Sequence, residues 1–301
     1  MKVAVAASPE VAIPTLDWLL ESAHSLDLII TRPDSALGRG RELTPSPVAT
    51  WANQHQIEVY KPATAKDFDD RLTNYDLVIT IGYGLILPQY LLDQPKHGFI
   101  NLHFSLLPQL RGAAPAQRAI INGLSVTGIT VFKLDAGMDT GPIYLQRSYQ
   151  IPRELTAGEL LLNLAQLGPE AICETLELIA SGTQPVPQSD EGASVAAKLS
   201  KEEARINWQD SAEAIVNKIH GFAPNPSATT IFRGQSLKMS RAKVSTGLLQ
   251  VGEIQFANNQ LLVGTGSSAI ELIEVTPAGK KSMSAAAWAN GARLNAGERF
   301  E

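Results

Sequence analysis

Asn101 and His103 stand two residues apart at the end of the apolar run from Gly98 to His103. Side chains alternate between the faces of a strand, so this spacing aims an amide and an imidazole to the same side. Asp139 follows the strand-like run Ile129 to Lys133 and is bracketed by Gly137 and Gly141. That pattern predicts a carboxylate on a flexible turn that can fold back towards the imidazole. The three groups suit acyl transfer without a covalent enzyme intermediate. When an amine attacks a formyl carbon, negative charge gathers on oxygen and positive charge on nitrogen. An amide and an imidazole can receive the oxyanion. A carboxylate can remove the amine proton, directly or through a water, while holding the imidazole protonated. From residue types alone, a structural histidine and an ordinary turn aspartate account for His103 and Asp139 equally well.

Other chemistries lack their residues. Ser105 lies near His103, but no G-x-S-x-G elbow is present for a serine hydrolase. His24, His55, His97, His103 and His220 show no H-x-x-x-H or H-E-x-x-H spacing, so no metal site is expected. The first turn, Ala6 to Glu10, contains no glycine, which argues against the G-x-G-x-x-G loop of an NAD site. Cys173 is the single cysteine, which excludes an internal disulfide and a thiolate metal cluster.

The elements that must position these groups are legible in outline. Short apolar runs at residues 2–6 and 26–31 flank a helical pattern from Pro14 to Glu21, a βαβ opening. Thr31 to Pro47, dense in Gly and Pro, predicts a long loop; Arg39 between Gly38 and Gly40 could approach a phosphate closely. Helices are predicted at 48–54 and 65–72, and strands at 57–61 and 76–82, the last a continuous β-branched run of the buried kind. The apolar loop Tyr83 to Pro88 follows at the carboxyl end of that strand, where an open α/β sheet binds ligands; Ile86 and Leu87 could equally seal the core. A helix from Ala114 to Ile121 comes next. The capping box Thr156 to Glu159 opens another that runs to about Ala180, kinked at Gly168 and Pro169. Beyond residue 206 the pattern changes to one helix, 211–220, then short strand-like pieces and a terminal helix from Met283 to Ala289.

With 301 residues, 44% hydrophobic and 18% charged, the chain has the composition of a soluble protein of about two domains. The expected fold class is α/β: a Rossmann-like doubly wound, mostly parallel sheet over residues 1–188, a linker at 189–205, and a smaller β-barrel domain at 206–301. No apolar run is long enough for a signal or membrane span, so a cytoplasmic location away from membranes is expected. The formal charge of −5 is unevenly spread. Residues 1–200 hold 14 Lys/Arg against 21 Asp/Glu, net −7, and residues 201–301 hold 11 against 9, net +2. A polyanion would therefore meet local patches, not a global basic field.

The stretch NLHFSLLPQLRGAAPAQR, from Asn101 to Arg118, closely resembles the corresponding segment of the methionyl-tRNA formyltransferase family. The resemblance extends over nearly the whole chain. It takes in Pro33-Asp34 with Gly38 to Gly40, Pro45 to Pro47, Tyr83 to Pro88, Thr127 to Thr130, Asp135 to Gly141, Lys198 to Arg205 and Pro277 to Lys281. It implies transfer of the formyl group of 10-formyltetrahydrofolate to the α-amino group of methionyl initiator tRNA, with Asn101, His103 and Asp139 as the catalytic trio. Ser105, Leu106, Leu107 and Pro108 correspond to the folate-contacting segment, with Tyr83, Ile86 and Leu87 as the pocket wall. The second domain corresponds to an OB-like barrel that helps hold the tRNA. Arg39 and Arg41 fall in the loop that enters the acceptor arm, and Lys238, Arg241, Lys243, Lys280 and Lys281 are candidate phosphate contacts. A monomer is expected. Three departures stand out: Phe104 where many relatives have glycine, Ala6-Ala7-Ser8 in place of a glycine-rich turn, and no tryptophan after Pro226. The alternatives are formyl transfer to another amine, such as an amino sugar or a purine precursor, and a tRNA-binding module without activity.

Overall fold

A computed structural model of the protein describes residues 1–37 and 42–301; Arg39 and Arg41 lie outside the described residues. In chain order the elements are β1 (Lys2–Ala7), α1 (Ile13–Glu21), β2 (Ser25–Ile30), β3 (Ser35–Leu37), β4 (Glu42–Thr44), α2 (Pro47–Gln54), β5 (Glu58–Tyr60), β6 (Leu77–Ile81), α3 (Gln89–Leu92), β7 (Phe99–His103), α4 (Pro115–Ile121), β8 (Val126–Lys133), β9 (Ile143–Gln150), α5 (Ala157–Ala165) and α6 (Gly168–Ala180). They continue with α7 (Ala212–Phe222), β10 (Ala228–Phe232), β11 (Gln235–Val244), β12 (Ile254–Ala257), β13 (Gln260–Gly264), β14 (Ala269–Pro277), β15 (Met283–Ser284) and α8 (Ala285–Ala292). The chain forms two compact units. One takes residues 1–113, 127–149 and 161–196, and the other residues 114–126, 150–160 and 197–301.

The first unit is built on a seven-stranded sheet of order β5-β2-β1-β6-β7-β8-β9. The five strands from β5 to β7 are parallel, and β8 runs antiparallel to β7. Connections lead outward from β1 to β2 and β5 on one side, and from β6 to β7 on the other, so the direction of winding reverses between β1 and β6. The carboxyl ends beside such a reversal are where ligands bind in open α/β sheets. β6 is buried throughout and β1 almost so, as required of central parallel strands covered on both faces. Each fully buried Val, Leu or Ile there stabilises the fold by roughly 1.5–3 kcal/mol.

Three local expectations change. The predicted loop Thr31 to Pro47 contains the β3–β4 hairpin, registered Ser35 to Thr44 and Ala36 to Leu43. The predicted helix 65–72 is instead two 3-10 turns, Ala65–Asp67 and Asp70–Asn74. Thr64 accepts from Lys66 N–H and Asp69 from Arg71 N–H, so two side-chain caps in close succession compete with a continuous helix. The predicted kink at Gly168 is a full break between α5 and α6, since Pro169 at the start of α6 cannot donate to a preceding turn. A Cβ on Gly168 would come within 2.6 Å of Thr15 Oγ1 on α1 and 2.9 Å of the Leu102 side chain on β7, so α6 packs closely on both at this glycine.

The second unit holds a mostly antiparallel sheet of order β10-β11-β14-β13-β12, with β15 on β14. Its core gathers Trp208, Phe222, Met239, Trp288 and Phe300, with the Trp208 and Phe300 rings stacked at 5.4 Å. The contiguous division at 189–205 differs from these units in a specific way. Helix α4 belongs with α7, where Gly221 lies close against Gln117 O and Ile121. Residues 194–196 of the expected linker are hydrogen-bonded to Leu110 and Arg111 in the first unit.

Candidate active site

The parallel register sets Asn101 on β7 beside Thr80 on β6, and the antiparallel register sets His103 beside Thr130 on β8. Asn101 Nδ2 donates to Thr80 Oγ1 at 2.8 Å, and Thr80 donates its single hydroxyl proton to Ile100 O at 3.1 Å. Thr80 Oγ1 can therefore only accept from Asn101, which fixes the amide's orientation. Asn101 Oδ1 is left buried with no hydrogen-bond partner. A buried orphan acceptor costs on the order of 1–3 kcal/mol until a donor arrives, so this atom is suited to an N–H of a bound molecule.

His103 is 6% exposed. Its Nε2 donates to Leu110 O at 3.0 Å, which settles the tautomer because a carbonyl only accepts. Nδ1 faces Asp139 Oδ2 at 3.8 Å. Burial pushes the imidazole below its ordinary pKa of 6.5, and the opposing influences of Asp139 and Leu110 O do not outweigh it. Burial thus favours the neutral ring, against the protonated form the sequence suggests, and the hydrogen bond from Nε2 leaves Nδ1 on the carboxylate side.

Asp139 adopts φ +56° and accepts from Gly112 N–H at 2.7 Å. The turn that carries it is not the flexible one expected. A Cβ on Gly137 would collide with Thr140 Oγ1, and one on Gly141 with Lys133 O. Asp135 accepts from Gly137 N–H and Thr140 Oγ1–H across the same turn. The glycines serve close approach, and the carboxylate is held.

His220, in the second unit, is likewise buried; its Nε2 accepts from Ala242 N–H, and burial first, then Arg241, lowers its pKa. Folded-state values below the unfolded 6.5 mean that the unfolded chain binds more protons as pH falls. Stability is therefore complete above about pH 6.5 and declines as pH drops towards the folded-state values. The melting temperature should fall on acidification from about pH 7.5 to 5, and His220→Gln should flatten that slope. An identical slope in the variant would remove His220 from the effect.

Ser105 is fully buried and donates to Gln109 O at 2.7 Å, so its hydroxyl is committed within the segment. Thr130 Oγ1 donates to Ser105 O and accepts from Leu107 N–H, while Gln146 Nε2 donates to Leu107 O. The stretch Ser105 to Pro108 is thereby pinned to β8 and β9, with Leu107 buried and Leu106 and Pro108 half-buried. Tyr83 and Leu87 pack into the core with Ala6, Val78 and Phe99, whereas Ile86 is 81% exposed. Burial pushes the Tyr83 phenol up to about 12, and its Oη has no partner. Phe104 is buried.

The expected phosphate contacts divide. Arg241 pairs with Glu159 at 2.5 Å and donates to Glu154 O, and Lys243 pairs with Glu271 at 3.0 Å. Those two are engaged within the second unit. Lys238, Lys280 and Lys281 are exposed. Leu237 is registered with Pro277, and Lys280 N–H donates to Pro277 O, so the three lysines gather at one end of the β11–β14 ladder.

A family model described as formyl transferase matches residues 1–176, and one described as formyl transferase, C-terminal domain, matches residues 198–293. The methionyl-tRNA formyltransferase of Salinispora tropica is 41% identical over 305 residues, covering 99% of each chain. That of Thermobifida fusca is 43% identical, covering 100% of this chain and 99% of the relative. The chain belongs to the methionyl-tRNA formyltransferase family. Among solved structures, the methionyl-tRNA formyltransferase of Clostridium thermocellum matches with TM-score 0.60 and 22% identity over 82% of this chain and 95% of that one. A Helicobacter canadensis N-formyltransferase, solved with folinic acid and dTDP-3-aminofucose, matches with TM-score 0.70 and 18% identity over 90% of this chain and 98% of that one. At such identities these two likenesses concern the fold. Among the described residues no helix is long and apolar enough to cross a membrane, and no cluster of His, Cys, Asp and Glu has the makings of a metal site.

The site also uses groups that sequence reasoning did not find. Leu110 O and Gly112 N–H are backbone atoms, which carry no side-chain signature. Thr80 and Gln188 act across long separations in the chain.

Proposed function

We propose that the chain transfers the formyl group of 10-formyltetrahydrofolate to the α-amino group of the methionine on initiator tRNA. The observation that carries this is the meeting of Asn101, with an unpartnered buried acceptor, a buried His103 tied to Leu110 O and a held Asp139 at the carboxyl end of β7. The folate, when bound, supplies the formyl carbonyl. The pinned segment Ser105 to Pro108, with Tyr83, Ile86 and Leu87, would hold it. Asn101 uses its remaining Nδ2 hydrogen towards the formyl oxygen and Oδ1 towards an N–H of the incoming amine. His103 Nδ1 takes the amine proton, and the resulting imidazolium lies between Leu110 O and Asp139, its charge favouring the oxyanion. His103 then returns the proton to the departing nitrogen as the old C–N bond breaks. Asp139 thus assists proton transfer through the imidazole.

Incubation with 10-formyltetrahydrofolate and methionyl initiator tRNA should give N-formylmethionyl-tRNA. No product from charged tRNA, or preferred formylation of a free amino sugar or purine precursor, would sink this reading.

Arg39, Arg41, Lys238, Lys280 and Lys281 are proposed to meet tRNA phosphates. Changing Lys238, Lys280 and Lys281 together to Ala should raise KM for tRNA and leave KM for the folate unchanged. The salt slope of binding should become shallower by about 1 for each phosphate that is no longer neutralised. An unchanged salt slope would reduce the lysine cluster to a solvated surface.

A further inference from the structure

We infer that Gln188 is a positioning residue for the transfer step, clamping the turn that carries Asp139 to the segment that carries Leu110 and Gly112; this rests on the role proposed above for Asp139. Residues 186–196 form a strap along the site. Val186 exchanges backbone hydrogen bonds with Ile143 at 2.7 and 2.8 Å. Ser194 N–H donates to Pro108 O, its Oγ accepts from Leu110 N–H at 2.9 Å, and its carbonyl accepts from Arg111 N–H at 2.8 Å. Ala196 N–H donates to Arg111 O at 2.7 Å. The strap therefore touches the Asp139 turn at one end and the Leu110–Gly112 segment at the other.

Gln188 joins the two through one side chain. Arg111 donates to its Oε1 through Nε at 3.1 Å and Nη2 at 2.8 Å. A guanidinium only donates, so Nε2 must face the opposite way. There it donates to Asp139 O at 2.9 Å and Gly141 O at 2.7 Å. Both amide hydrogens and both oxygen lone-pair directions are used, which is the saturation expected of a rigid bridge.

What the bridge controls is the separation of Asp139 from His103. Gly112 has φ +122°, and a Cβ there would come within 2.8 Å of Ala196 O, so the strap packs closely on the residue whose N–H holds the carboxylate. Asp139 itself sits at φ +56°, a backbone conformation that needs support from outside the turn. At 3.8 Å the His103 and Asp139 atoms stand beyond hydrogen-bond contact, so the carboxylate acts on the imidazole through its charge, at a separation and direction that the turn sets.

Gln188→Glu keeps the shape and an acceptor for Arg111 but has no N–H for the two carbonyls, and Gln188→Met removes the polar bridge at similar length. Each should lower kcat by about 10- to 100-fold, the cost of a misplaced group, with KM for folate and tRNA unchanged. In an Asp139→Asn background either substitution should cost nothing further, because its effect passes through that carboxylate. Wild-type kcat in both single variants, a rise in KM that accounts for the whole effect, or an equal further loss in the Asp139→Asn background overturns the assignment. Asp139→Asn alone, run in the same assay, separates the two ideas: full activity there removes the underlying role of Asp139, whereas an inactive Asp139→Asn beside fully active Gln188 variants removes only the bridge.

Discussion

Changing Asp139 to Asn should slow formyl transfer by about 10²–10⁴-fold, the range for loss of a proton-transfer group, while binding of folate and tRNA persists. Asn has the same shape and can still accept from Gly112 N–H, so the turn keeps its form and only the charge is lost. That charge is the largest influence opposing burial at His103. Without it the imidazole's pKa falls further, and the imidazolium needed after proton transfer loses its counter-charge. His103→Ala should be as damaging, and the double variant little worse than either single one, because the pair works as a unit. Single-turnover formylation with tRNA binding measured alongside would check this. Full activity of Asp139→Asn would take the carboxylate out of the mechanism.

The sequence made the pair on β7 legible for a simple reason: residues 101 and 103 share a face whatever surrounds the strand, and the parallel register then places Asn101 against Thr80. The outer frame was legible too, because β6 is apolar at every position but Thr80 and reads as a buried parallel strand. Asp139 was harder. Glycines on both sides suggested mobility, yet the structure uses Gly137 and Gly141 to let Thr140 Oγ1 and Lys133 O come close, an approach that no local pattern encodes. Arg241 shows what charge alone leaves out. Its charge suggested a phosphate contact, but a partner 82 positions away in the chain, Glu159, occupies it. Residues 189–196 of the strap fall in the expected linker, and Gln188 at the end of the expected first domain. The strap's order comes from backbone pairing with Pro108, Arg111 and Ile143 and from the bond of Leu110 N–H to Ser194 Oγ, and composition is silent on such pairing. The three exposed lysines lie in the second unit, so choice of acceptor and chemistry of transfer need not depend on the same residues.

Asn101→Ala should lower kcat by about 10²–10³-fold, as expected for removal of one donor to a developing oxyanion. Asn101→Asp should be at least as inactive and also less stable, which distinguishes a fixed amide from a merely polar side chain. The reason lies with Thr80, whose one proton is committed to Ile100 O, leaving its oxygen as an acceptor against residue 101. A carboxylate there meets lone pairs on Thr80 and offers no hydrogen to the formyl oxygen. Turning the Thr80 hydroxyl towards it would strip Ile100 O of that bond instead. Burial raises the pKa of such a carboxyl, so Asn101→Asp should regain melting temperature as pH falls and the group is neutralised, opposite in sign to the acid sensitivity contributed by His103 and His220. Melting curves across that pH range, with kcat measured alongside, test both halves of the argument. If Asn101→Asp matches the wild type in rate and in its pH–stability profile, then the amide is not held in the orientation that Thr80 imposes, and the oxyanion must be stabilised by other groups.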